Sequence, residues 1–234
     1  MHGWLHLGHA PISRRTEADT SCRPPRRPLA CRRRLDRGLR RGGPSLERAR
    51  VRTFVAVFPP PEVRGALLSA ARELPVVGAV RWIRPENVHM TLKFLGDVPK
   101  EELLDRVAVT LEMICGRHEP FEAEPSAFGA FPSARRARIL WAGIDEGSDR
   151  LRALAEDVEA TLEPLGFERE DRAYTPHLTL GRSRARPVVL EVVEVPSTIP
   201  NFTVRNVKLV QSVPGGARVT YSTLATYPLS EYRD

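Results

Sequence analysis

Two tetrapeptides carry the residues of this chain that are best suited to acid–base chemistry. His89-Met90-Thr91-Leu92 and His177-Leu178-Thr179-Leu180 both read His-x-Thr-Leu, and they begin 88 positions apart. Each lies in a run that predicts a β-strand, where alternate side chains point to opposite faces. The His and Thr of each motif are therefore expected on one face, with the apolar residues on the other. Two such faces brought together supply two imidazoles and two hydroxyls, a set suited to proton transfer around a phosphoester.

Three cationic residues near the motifs are further candidates for binding an anionic substrate. Strict alternation places Lys93 on the cleft face with His89 and Thr91, and it places Phe94 on the apolar face. Arg182 follows the second motif and is expected to border the site. Arg138 stands at the start of a predicted strand and is a candidate for binding a phosphate backbone. A solvated side chain is the alternative for Lys93, and an exposed loop is the alternative for Arg138.

The strong positive charge of the chain is concentrated near its N-terminus. The 234 residues carry a net charge of +7, but residues 1–50 alone contain 13 Arg and four acidic residues, a net of +9. The remaining residues therefore have a net charge of −2, so overall basicity does not indicate a domain that coats a polyanion. We expect a substrate to be held by local groups.

Residues 1–50 are predicted to be an Arg- and Pro-rich disordered extension, because no apolar period offsets the entropy of ordering them. An RNA-binding arm is one alternative. The domain pattern begins abruptly at Val51, so a second alternative is that translation starts there and that residues 1–50 are an artefact of an upstream start. The domain itself is expected to span residues 51–234.

From Val51 onward, short predicted strands alternate with helices. Helices are predicted at Glu62–Leu74, Lys100–Cys115 and from Ser148 to Leu162, and strands at Thr53–Phe58, Val80–Ile83, Phe121–Phe131, Arg138–Ile144, Val188–Val195, Phe202–Ser212 and Val219–Ala225. Short strands joined by tight turns favour an α+β fold with antiparallel sheets. The recurrence of the elements around both motifs suggests a diverged internal duplication, with two lobes facing each other across a groove.

Several classes of protein are disfavoured by what the sequence lacks. Its three cysteines (Cys22, Cys31 and Cys115) make no disulfide framework or zinc pattern, and a reducing, cytoplasmic setting fits them best. No run of about 18 apolar residues predicts a transmembrane helix. For that reason no membrane is expected as a partner. No third ligand near either motif completes a metal site, so no metal is expected either.

The two motifs and their flanks resemble those of the 2H phosphoesterase superfamily. The resemblance covers residues 51–230 and includes Arg84-Pro85-Glu86-Asn87-Val88, Tyr174-Thr175-Pro176 and the hairpin from Ser212 to Tyr221. Within the superfamily the chain most resembles the bacterial RNA 2′,3′-cyclic phosphodiesterases, historically called 2′-5′ RNA ligases.

This resemblance implies a bilobal α+β fold, with two pseudo-symmetric antiparallel sheets, flanking helices and a central cleft, and no cofactor. It implies hydrolysis of a terminal 2′,3′-cyclic phosphate to a 2′-phosphomonoester, with RNA ends or cyclic-phosphate nucleotides as substrate, by a protein expected to be monomeric. It suggests His89 as the proton donor and His177 as the proton acceptor, although from the residues alone either can take either role. Thr91 and Thr179 are candidate donors to the non-bridging phosphate oxygens.

Two alternative functions stay open. One is another 2H activity, either hydrolysis of a small cyclic nucleotide phosphate or 2′-5′ RNA ligation. The other is a non-catalytic protein that binds RNA ends with the help of its Arg-rich tail. Deleting residues 1–50 separates the classes, because an enzyme keeps its turnover whereas a tail-driven binder loses affinity and its steep salt dependence.

Overall fold

The computed structural model describes residues 50–215 and 218–230, so the expectations for residues 1–49 lie outside the described residues. The strands are β1 (Arg50–Val57), β2 (Val76–Val77), β3 (Val80–Trp82), β4 (Met90–Pro99), β5 (Phe121–Ala123), β6 (Pro125–Phe131), β7 (Ile139–Ile144), β8 (His177–Ser183), β9 (Val189–Leu190), β10 (Val193–Glu194), β11 (Phe202–Val204), β12 (Asn206–Gly215) and β13 (Arg218–Pro228). The helices are α1 (Pro61–Arg72), α2 (Lys100–Glu102), α3 (Ala108–Cys115) and α4 (Ser148–Leu162), with a π-helical turn at Leu103–Val107.

Two antiparallel sheets form the framework of the fold. The first has the strand order β13-β12-β1-β4 and the second the order β10-β6-β7-β8-β3, while β11–β5 and β2–β9 form two-stranded sheets. Every strand pairing in the described residues is antiparallel. The predicted α+β class, with antiparallel sheets and flanking helices, is confirmed.

One hydrophobic core lies beneath both sheets. It combines Val55 of β1 and Leu92 of β4 with Leu178 and Leu180 of β8. Helix α4 packs against β4, and α1 packs against β8. The strands that carry the two motifs are thus fixed from below by one shared core, and their opposite faces are left to line a cavity.

The helices follow the apolar periods of the sequence, with some interruptions. The stripe predicted for α4 is buried throughout, at Leu151, Leu154, Ala155, Val158 and Leu162. The single helix expected at Lys100–Cys115 is instead divided by the π-helical turn. The strand expected at Phe121–Phe131 is divided into β5 and β6, and Val188–Val195 into β9 and β10. None of the described helices is long and apolar enough to span a bilayer.

A β-bulge interrupts β4 just after its His-x-Thr residues. Thr91 is paired with Ala56 and Lys93 with Val55, so Leu92 is an extra residue between two paired positions. Because the side-chain period of a strand is two, one extra residue reverses which face each later residue occupies. Lys93 and Phe94 therefore depart from the alternation that the sequence suggests. A second bulge follows at Leu95, since Phe94 is paired with Phe54 and Gly96 with Thr53, and it reverses the faces again.

The second motif strand, β8, contains the same irregularity at the matching place. Thr179 is paired with Trp141 and Gly181 with Leu140, so Leu180 is the extra residue. The two motifs are therefore alike in backbone as well as in sequence, which agrees with an internal duplication.

The faces predicted for Lys93 and Phe94 were wrong, because the bulge at Leu92 exchanges them. Lys93 is only 1 % exposed, and its Nζ donates to a carboxylate oxygen of Glu159 on α4 and to the backbone oxygen of Glu168, the latter at 2.6 Å. Phe94, expected on the apolar face, is 63 % exposed. A buried ammonium requires such partners, and the core face supplies them here.

Candidate active site

A cavity of about 1300 Å³ lies between the two sheets and brings both motifs to one place. Its wall includes His89 and Thr91 from the first motif and His177 and Thr179 from the second. His89 directly precedes β4, and His177 is the first residue of β8, so each imidazole stands at the entrance of its strand. The structure thus gathers the four residues that the sequence singled out.

Both histidines are held in the same way by backbone carbonyls. Nδ1 of His89 lies 2.7 Å from the oxygen of Asn87, and Nδ1 of His177 lies 2.7 Å from the oxygen of Thr175. A carbonyl oxygen can only accept, so Nδ1 of each ring carries the hydrogen. The second nitrogen, Nε2, is therefore the one left to accept or donate a proton in the cavity.

The environment of His89 favours its neutral form. Burial, opposed by the hydrogen bond to Asn87 and aided by the charge of Arg182 and by that of His177 when it is protonated, lowers the pKa of His89 from 6.5 to about 4. Burial likewise lowers the pKa of His177, again against its carbonyl hydrogen bond and with help from Arg182. Both imidazoles are consequently neutral at pH 7 in the free protein. An anion bound beside them would offset the charge of Arg182 and raise both pKa values.

Aromatic side chains surround the His89 ring. Phe54 and Phe58 stack on it with ring centroids 4.9 and 5.2 Å away, and Tyr221 meets it edge-on at 5.1 Å. These contacts explain the strong burial of the imidazole, and they restrict its rotation. Sequence reasoning missed this cage. Phe54 in β1 and Phe58 directly after it are four positions apart, a spacing that favours one face of an extended chain, and this signal could have found it.

His177 also packs against aromatic rings. Phe131 lies edge-on at 5.1 Å and Trp141 at 6.4 Å from the imidazole. Gly129 makes room for this arrangement, because a Cβ atom there would come within 2.4 Å of the Trp141 ring. The rings of Phe131 and Trp141 thus support a histidine.

The bulge in β8 turns Arg182 into the cavity. Beyond Leu180 the alternation is reversed, and Arg182 is paired with Ile139 on the face that also carries Thr179 and Trp141. Arg182 and Ile139 both line the cavity. Since its charge lowers the pKa of both histidines, Arg182 stands within electrostatic reach of each. One guanidinium, two hydroxyls and two imidazoles together suit a phosphate group.

Lys93 and Arg138 were predicted to bind substrate, and both predictions are corrected, because neither residue presents its charge to the cavity. Lys93 belongs to the cavity wall, but its ammonium is buried against Glu159. Arg138 is exposed and does not line the cavity, because the neighbouring Ile139 occupies the inward face. Within the described residues, no group of three or more His, Cys, Asp or Glu side chains is arranged to hold a metal ion.

Comparisons with known proteins point in one direction. Residues 59–215 match the family described as the 2′-5′ RNA ligase superfamily. An RNA 2′,3′-cyclic phosphodiesterase of Archaeoglobus fulgidus is 36 % identical over 166 residues, which is 70 % of this chain and 92 % of that protein. The crystal structure of TT0787 of Thermus thermophilus covers 76 % of this chain and 97 % of its own, with a TM-score of 0.66 at 30 % identity. The crystal structure of E. coli LigT complexed with 3′-AMP covers 78 % of this chain and 99 % of its own, with a TM-score of 0.64 at 25 % identity.

Proposed function

Because this chain belongs to the 2′-5′ RNA ligase superfamily and is a phosphodiesterase enzyme, we propose that it hydrolyses the terminal 2′,3′-cyclic phosphate of RNA to a 2′-phosphomonoester. RNA ends and cyclic-phosphate nucleotides are its substrates. Support comes from the relative of A. fulgidus, whose name is RNA 2′,3′-cyclic phosphodiesterase, and from LigT, which has been crystallised with a nucleotide.

The matched state of the two imidazoles carries this proposal. Each ring is held by Nδ1 on a carbonyl two residues earlier in the chain, so each presents Nε2 to the same cavity. Hydrolysis of a cyclic phosphodiester needs one group to take a proton from water and another to give a proton to the departing oxygen. Two equivalent nitrogens in one cavity meet both needs.

In the proposed reaction, water attacks phosphorus as the bond between phosphorus and the 3′ oxygen breaks. His177 accepts the proton of the attacking water, and His89 donates its proton to the 3′ oxygen, which leaves the phosphate on the 2′ oxygen. Thr91, Thr179 and Arg182 bind the non-bridging oxygens, where negative charge grows in the transition state. All five side chains come from a single chain.

The low pKa of His89 fits the role of donor once substrate is present. In the free protein this ring is neutral at pH 7, because burial, together with the charge of Arg182 and that of His177 when it is protonated, lowers its pKa to about 4. A bound phosphodiester anion raises the pKa of His89, so His89 takes up a proton when the substrate binds. The same burial that depresses the pKa makes the protonated ring a strong acid toward the leaving oxygen.

The first experiment is incubation of the full chain, in chelator, with a short RNA that ends in a 2′,3′-cyclic phosphate. We expect a product whose phosphate is on the 2′ oxygen, identified by its resistance to a 3′-phosphatase and by mass. A 3′-phosphate product would overturn the proposed direction of bond cleavage. Absence of any product would overturn the proposed substrate.

The roles of the two histidines can be separated with a cyclic phosphate whose 3′ bridging oxygen is sulfur. A thiolate leaves without protonation, since a thiol has a pKa of about 8.5. We therefore expect His89→Gln to cleave this substrate nearly as fast as the wild type, whereas His177→Gln stays slow. The reverse result would exchange the two assignments.

A further inference from the structure

A second arginine lies beside Arg182, and the proposed reaction leaves it without a task. Arg81 in β3 is the direct cross-strand partner of Arg182 in β8, so the two side chains share one face of the sheet. Both line the cavity. Because β3 is the edge strand of this sheet, Arg81 stands one strand farther out than Arg182.

Like charges directly opposite each other on neighbouring strands are destabilising unless an anion compensates them. Within residues 50–215 and 218–230, neither Arg81 nor Arg182 makes a side-chain hydrogen bond or an ion pair. The neighbouring Arg84 differs, because its guanidinium lies 3.5 Å from the carboxylate of Glu86. The fold thus keeps two adjacent guanidiniums unpaired at the wall of a cavity.

The two guanidiniums stand at different distances from the chemistry. The positive charge of Arg182 contributes to the lowered pKa of both histidines, whereas that of Arg81 contributes to neither. Arg182 therefore suits the phosphate held between the imidazoles. Arg81 suits an anion that lies farther toward the edge of the sheet.

We propose that Arg81 binds the phosphate on the 5′ side of the terminal nucleotide, so that the enzyme selects an RNA chain over a free cyclic mononucleotide. This inference rests on the proposed function, since it takes the cyclic phosphate to lie at the histidines. An RNA end always carries that second phosphate, and a 5′-hydroxyl mononucleotide does not. A guanidinium can bind it with two parallel hydrogen bonds.

The test compares two nucleoside 2′,3′-cyclic phosphates of the same base, one with a 5′-hydroxyl and one with a 5′-phosphate. We expect Arg81→Gln to lower kcat/KM for the 5′-phosphate compound by roughly tenfold or more. Turnover of the 5′-hydroxyl compound should be unchanged. Arg138→Gln is the matched control, because this arginine is also exposed but lies outside the cavity wall, and it should alter neither value.

Binding supplies a readout that does not depend on turnover. We expect the wild type to bind a nucleoside 2′,5′-bisphosphate more tightly than the 2′-monophosphate, and Arg81→Gln to abolish that preference. For a short RNA, the same variant should reduce the slope of log Kd against log salt by about 0.7. Circular dichroism checks that the variant is folded.

The outcomes separate the two proposals. If Arg81→Gln affects both cyclic compounds equally, Arg81 acts on the cyclic phosphate and the inference is overturned. No effect on either compound, or on the binding preference, overturns it as well. If the wild type turns over neither compound but shows Arg81-dependent binding, the proposed function fails while the second phosphate site stands.

Discussion

Replacing Lys93 with methionine is expected to cost about 3–5 kcal/mol in the free energy of unfolding. The Lys93 side chain is 1 % exposed, and the side chain of its partner Glu159 is only 12 % exposed. Methionine preserves most of the packed volume, but it deprives the largely buried Glu159 carboxylate of its ion-pair partner and removes the hydrogen bond to the backbone oxygen of Glu168. The size of the loss comes from the stranded charge, since packing changes little.

Denaturant unfolding followed by circular dichroism measures this loss, and a thermal scan should show a melting temperature lower by roughly 6–20 °C. The matched control is the double variant Lys93→Met with Glu159→Leu, which removes both charges. Its stability should return to within about 1 kcal/mol of the wild type, because an apolar pair can replace a buried ion pair. Arg169, whose charge also interacts with Glu159, would bring the loss toward the lower end of the range.

A loss below about 1 kcal/mol for Lys93→Met would refute this reasoning, since a buried, unpaired carboxylate has a larger cost. A double variant no more stable than the single one would refute it differently. That result would mean that the loss in the free energy of unfolding comes from packing around residue 93 and not from the unpaired charge of Glu159.

The remaining predictions concern turnover of a cyclic phosphate. His89→Gln or His177→Gln should lower kcat by about 10²–10⁴-fold while the protein stays folded, and near-wild-type rates in either variant would contradict acid–base catalysis by the pair. Thr91→Val or Thr179→Val should lose less, on the order of ten- to a hundredfold, because Arg182 and the other hydroxyl still bind the phosphate; a loss as large as that of the histidine variants would argue against this division of roles. The kcat/KM value should already be falling at pH 6.5 and should continue to fall at higher pH, because the reaction needs one protonated imidazole and both pKa values in the free protein lie below 6.5. Arg182→Gln should shift that alkaline limb to higher pH, since it removes a positive charge that lowers both pKa values, and an unchanged limb would count against Arg182 as a neighbour of the histidines.

The sequence was sufficient for the parts of the site that depend on local pattern. His-x-Thr-Leu in two predicted strands put imidazole and hydroxyl on one face, and the structure has all four residues at one cavity. The α+β class followed in the same way from short strands and tight turns. These features depend on residues that are neighbours along the chain, so periodicity alone can reveal them.

What the sequence did not reveal depends on pairing between strands. A bulge is defined by the pairing with the neighbouring strand, and a leucine at position 92 or 180 does not by itself indicate one. For this reason alternation placed Lys93 in the cleft, and it gave no reason for Arg182 to face inward. The cross-strand pairing of Arg81 with Arg182 was equally invisible, because the two residues are 101 positions apart in the chain.

The residues that follow the two bulges make the two walls of the cavity chemically different. Both motif strands have a bulge directly after the motif threonine, yet the first half places the exposed ring of Phe94 beyond that bulge and the second half places the guanidinium of Arg182 there. One wall therefore attracts charge and the other offers an apolar surface. A nucleotide, which has an anionic part and a flat aromatic part, is favoured in one of its two orientations, so a duplicated frame can still treat its two histidines differently.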